Sequence, residues 1–84
     1  MRHARDAALD ALEPTLAQIR AIPGLTEKSR GIFYRKSRAF LHFHEDPAGL
    51  FADLRGADGG DFERINVTAP EDLARLVVLA AQRA

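Results

Sequence analysis

The sequence predicts an α+β domain: a two-layer sandwich in which an antiparallel sheet of three or four strands carries an N-terminal and a C-terminal helix on one face, in the order αββββα. Three observations predict it. Leu9, Leu12, Leu16, Ile19 and Ile22 recur at spacings of three and four, which is one face of a helix. The middle of the chain turns to short aromatic and aliphatic runs between polar turns, the pattern of strands. Leu73, Leu76, Val77 and Ala80 then form a second helical stripe.

Each element has local support. Arg5, Asp6, Glu13, Gln18 and Arg20 fall mostly off the first stripe, as an amphipathic helix requires. Pro14 lacks an N–H for the carbonyl four residues back, so a kink or restart is expected there. Pro23-Gly24 ends the helix. Residues 32–35, 38–45 and 50–55 read as strands. Asp46-Pro47-Ala48-Gly49 suits a type I turn and would set His44 opposite Phe51 and His42 opposite Asp53. The Lys36-Ser37 turn would pair Tyr34 with Ala39 and Phe33 with Phe40. Residues 56–60 form a flexible turn, and residues 61–67 a fourth strand. Thr68 fits the N-cap of the last helix, with Glu71 as its capping-box partner.

These pairings sort the side chains, because opposed residues share a face and the side-chain period is two. One face collects Ile32, Tyr34, Ala39, Leu41, Phe43, Leu50, Ala52, Leu54, Ile65 and Val67, and the helices should cover it. The other collects Phe33, Arg35, Arg38, Phe40, His42, His44, Phe51, Asp53 and Arg55, joined by Phe62, Arg64 and Asn66. Four of the five phenylalanines would lie on this mixed face beside several arginines. A small domain gains by burying such a patch, so a homodimer or partner-protein interface, or partial cover by a chain terminus, is expected here. A small-molecule platform and a stacking surface for single-stranded nucleic acid are the alternatives.

His42 and His44 stand two apart on one strand, with Asp53 opposite His42. Two imidazoles and a carboxylate are a plausible zinc or iron set, and either histidine could serve as a general acid or base. H-x-H alone is common, and His3 is distant, so no third histidine has motif spacing. The plainer reading is a His42–Asp53 polar pair that fixes strand register, with no metal and no cofactor. Charge is also segregated: residues 26–44 are mainly basic and residues 45–63 mainly acidic, as neighbouring strands that neutralise each other would be. The glycine-rich stretch 56–60 lacks the lysine of a phosphate-binding loop.

Eighty-four residues make a single domain, 1–84, whose small core leaves modest stability. The absence of cysteine excludes a disulfide scaffold or thiolate metal site and fits a reducing cytoplasm. Twelve basic and twelve acidic side chains give no net charge, so neither duplex nucleic acid nor an anionic membrane is an expected partner. Charges interrupt the N-terminal apolar positions, unlike a signal peptide, and no apolar run would span a bilayer. The richness in alanine and arginine points to a bacterial source.

The stretch FYRKSRAFLHFHEDPAGLFADLR resembles a segment of small uncharacterised bacterial proteins. The order of hairpins and closing helix over residues 25–82 is similar, more distantly, to the MmcQ/YjbR-like family of small α/β sandwich domains. The resemblance implies a fold type and no activity. DNA binding has been suggested for that family, and no residue is carried over from it. The sequence thus points to a non-enzymatic cytoplasmic binding module, homodimeric through the mixed face. The alternative is a small-molecule or metal-dependent enzyme using His42, His44 and Asp53.

Overall fold

The computed structural model describes all residues from Met1 to Ala84. The elements are β1 (Arg2–His3), α1 (Asp6–Arg20), β2 (Leu25–Ser29), β3 (Ile32–Arg35), β4 (Arg38–Asp46), β5 (Gly49–Arg55), β6 (Phe62–Asn66) and α2 (Pro70–Arg83). The sheet runs β2-β3-β4-β5-β6 with every neighbouring pair antiparallel, and β1 adds beside β4 as a sixth strand. The α+β class stands. The expected three or four strands become six.

The two extra strands carry no strand pattern. β1 is two residues long, and β2 reads Leu-Thr-Glu-Lys-Ser, with only one apolar side chain. Both form because a partner presents a free edge: β3 for β2, and the end of β4 beyond β3 for β1.

The helices pack together on one face of the sheet. Leu9, Leu12, Leu16 and Ile19 of α1, and Leu76 and Ala80 of α2, close over Leu41, Phe43, Ala52 and Leu54 as expected, with Leu50 and Ile65 half-buried at the margin. α1 runs unbroken through Pro14, so the expected kink or restart is corrected. Pro14 is exposed, and burial of the flanking leucines compensates for the one missing backbone bond. The second helix is also capped otherwise than expected. Its N-cap is Ala69 with Pro70 at the first position, and no side chain caps it. The Thr68 hydroxyl instead accepts from the Leu50 amide at 3.1 Å, clipping the chain to the start of β5. Gly49 permits that contact. Its φ is +139°, and a Cβ there would lie 2.2 Å from Thr68 Oγ1.

One bulge re-sorts the two faces. The turn at Lys36 and Ser37, both with positive φ, pairs Arg35 with Arg38 and Tyr34 with Ala39, as expected. The next pair is Phe33 with Leu41, not with Phe40. Phe40 is the extra residue of a β-bulge, a device that shifts every side chain beyond it by one step. Phe33 therefore points to the helices and is only 1% exposed. Phe40 is buried there too, at 3%. Ile32, expected in the core, pairs with His42 and lies half-buried on the open face. Tyr34 also changes face, and the Lys28 ammonium sits 5.2 Å from its ring centroid. Arg35 and Arg38 move to the rim of the helix side, where they line a cavity with Phe40 and Arg83.

Candidate functional site

With Phe33 and Phe40 in the core, the open face keeps Phe51 and Phe62, both half-buried. Half of the phenylalanine surface on which self-association rested is thereby withdrawn. What remains at the centre of the face is polar. Two cross-strand rows run over it. One is Ile32, His42, Asp53 and Arg64, across β3, β4, β5 and β6. The other is His3, His44, Phe51 and Asn66, across β1, β4, β5 and β6. The β4–β5 register is the one the Asp46-Pro47-Ala48-Gly49 turn dictates, so His44 faces Phe51 and His42 faces Asp53.

Three imidazoles meet where the rows adjoin. One ring nitrogen from each of His3, His42 and His44 lies within 4.8 Å of the other two. His42 Nδ1 is 3.0 Å from His44 Nε2, and His44 Nε2 is 3.1 Å from Asp53 Oδ2. Asp53 faces His42 in register, yet its contact is with the ring of His44 on the diagonal. Its remaining acceptor capacity goes to Arg64, whose Nε and Nη2 donate at 2.8 Å to the two carboxylate oxygens. This forked pairing fixes the carboxylate plane.

His3 is the member that sequence spacing could not supply. β1 brings it there. The Ala4 amide donates to the Phe43 carbonyl at 3.1 Å, Arg2 pairs with Glu45 at 2.9 Å, and the Met1 amino group lies 3.3 Å from Asp46. The rings of His3 and His44 are 4.9 Å apart at their centroids, and Phe62 stands edge-on to His42 at the same distance.

The electrostatics follow from this packing. Burial, then the neighbouring His44, hold His42 below the ordinary histidine value, so its ring is neutral with a free lone pair at neutral pH. The Arg64 hydrogen bonds hold Asp53 below the ordinary aspartate value, outweighing its burial, so it is a carboxylate. Asp53 is 7% exposed, which makes it the one buried carboxylate of the chain. One nitrogen, His44 Nε2, thus faces both a carboxylate oxygen and a second imidazole nitrogen. A single proton on it can satisfy one of those neighbours well, not both.

Of the other residues expected on this face, Arg55 lies over the Phe62 ring at 4.1 Å and is bound to backbone carbonyls. No helix is long and apolar enough to cross a membrane. No protein-family model, curated protein or solved structure matches the chain.

Proposed function

We propose that this domain is a binding module for a divalent transition-metal ion, held on the open face of the sheet by His3, His42 and His44, with Asp53 as the fourth donor. The observation that carries this reading is the convergence of three imidazole nitrogens within 4.8 Å of one another. A tetrahedral ion with metal–nitrogen bonds of roughly 2.0–2.1 Å needs its donors about 3.3 Å apart. Two of the edges, 3.0 Å and 3.1 Å, already stand close to that value. A cation placed among these atoms takes a lone pair from each ring and charge from Asp53, which removes the conflict at His44 Nε2. The nitrogen-rich set suits zinc, copper, nickel or iron and not calcium or magnesium, which want oxygen. Arg64 then plays the part of an outer partner that orients a ligating carboxylate.

The reading keeps the domain as a binding module and moves its working centre from the phenylalanines to the histidines. His3 is exposed, so a ligand from solvent can reach the ion. With four protein donors the tetrahedral shell is complete, so a further ligand would have to displace Asp53 or expand the ion to five-coordination.

The test is titration of protein purified without a histidine tag, using Co²⁺ for its visible absorption and Zn²⁺ in competition. The expected result is one saturable site of tetrahedral spectrum per chain, lost in His42→Gln/His44→Gln while the circular dichroism is kept. The reading fails if the parent and that double variant take up cobalt alike.

A further inference from the structure

At the end of the sheet away from β1, the β3–β4 turn, the β5–β6 loop and the last turn of α2 border a half-open cavity of about 270 Å³. Four arginines line it, Arg35, Arg38, Arg55 and Arg83, against a single carboxylate, Asp58. Asp58 Oδ1 accepts from the Gly60 amide at 2.8 Å, and one carboxylate leaves the lining with an excess of positive charge.

The four guanidinium groups divide into two kinds. Arg55 and Arg83 are tied down. Arg55 donates to the Ala39 carbonyl at 3.1 and 2.7 Å and to the Gly60 carbonyl at 3.0 Å. Arg83 pairs with Glu63 at 2.9 Å. The guanidinium groups of Arg35 and Arg38 make no hydrogen bond or ion pair with any group of the chain, unlike those of Arg20, Arg30 and Arg64. They are also directly opposed in the β3–β4 register. Like charges facing each other across a strand pair repel, and no carboxylate forms an ion pair with either guanidinium to offset it. Guanidinium forks match the oxygens of a phosphoryl group.

We propose that this cavity is an anion site for the phosphate group of a small phosphorylated molecule, with Arg35 and Arg38 as its clamps. Its volume of about 270 Å³ falls just below the range of ordinary ligand pockets, roughly 300–1,000 Å³, which suits a small phosphomonoester and not a dinucleotide. A nucleic-acid strand would need a track of basic groups. The cluster is confined to this one end of a chain without net charge, so a single phosphate group is the better match. The site is separate from the histidine centre and does not depend on it.

Glycerol phosphate and inorganic phosphate are the probes, in a low-salt buffer free of other oxyanions, read by amide chemical shifts and by calorimetry. Saturable binding with shifts at residues 35–39, 56–59 and 83 is the expected result. Arg35→Gln/Arg38→Gln should weaken it by about tenfold or more, as loss of charge-assisted hydrogen bonds does. His42→Gln/His44→Gln should leave it unchanged. The proposal is overturned if neither probe saturates, if the arginine double variant binds as the parent does, or if only a single-stranded oligonucleotide binds.

Discussion

His3 lies directly opposite His44 across the β1–β4 pair, although one stands at the start of the chain and the other in its middle. That register turns a two-histidine motif into a three-histidine cluster, and it is testable by itself. His3→Ala should lower zinc affinity by at least about tenfold, as the loss of a donor contact costs more than about 1.4 kcal/mol. Its unfolding free energy should stay within about 0.5 kcal/mol of the parent, because the side chain is exposed. Zinc competition and urea unfolding measure the two. Unchanged affinity would place the ion on His42, His44 and Asp53 alone.

The bulge at Phe40 predicts an order among the phenylalanines. Phe33→Ala should cost about 3–5 kcal/mol, the usual penalty for emptying a core position. Phe51→Ala, half-buried on the open face, should cost well under half of that. Urea denaturation decides it, and a reversed order would restore the regular pairing of Phe33 with Phe40.

Gly49→Ala should destabilise the domain by about 2 kcal/mol or more, through the positive φ and the collision with Thr68 Oγ1. Thr68→Ala also loses the hydroxyl that accepts from Leu50. The double variant should be less unstable than the two separate losses added together, because the collision disappears. Strict additivity in a double-mutant cycle would refute the contact.

The acid limb of stability should carry the signature of Glu13. Hydrogen bonds from Arg20, then from Arg30, lower its carboxyl from 4.5 to about 2. A depressed folded value means that the stabilisation is whole above the unfolded value and is lost as pH falls through the folded one. Asp53 and Glu45 are lowered as well and act in the same sense. The melting temperature should therefore hold near neutrality and fall between roughly pH 4.5 and 2. Glu13→Gln should flatten that fall, and an identical profile in the variant would exclude the network as a contributor.

The legible parts of the fold were those with local causes. Asp46-Pro47-Ala48-Gly49 sets the β4–β5 register by turn chemistry, and the leucine stripes set both helices. The bulge has no local mark, because Phe40 looks like any other strand residue, so regular alternation puts Phe33, Phe40, Ile32 and Tyr34 on the opposite faces from those they occupy. Likewise, His42, His44 and Asp53 were visible through spacing and register, whereas His3 arrives by a tertiary pairing that no spacing encodes. Thr68 matches a capping pattern, but the helix starts one residue later, with Ala69 as its N-cap, and the Thr68 hydroxyl accepts from Leu50 instead.

The borders of the sheet have a consequence of another kind. On β2 the register slips between Glu27 and Ser29, with Lys28 in the irregular step, and on β6 Glu63 and Arg64 stand exposed. An incoming strand needs a straight, uncharged ladder to zip onto, and neither border offers one. Strand-by-strand growth into fibrils is thus obstructed at both of these borders, which counts the more for a chain with no net charge to hold its copies apart.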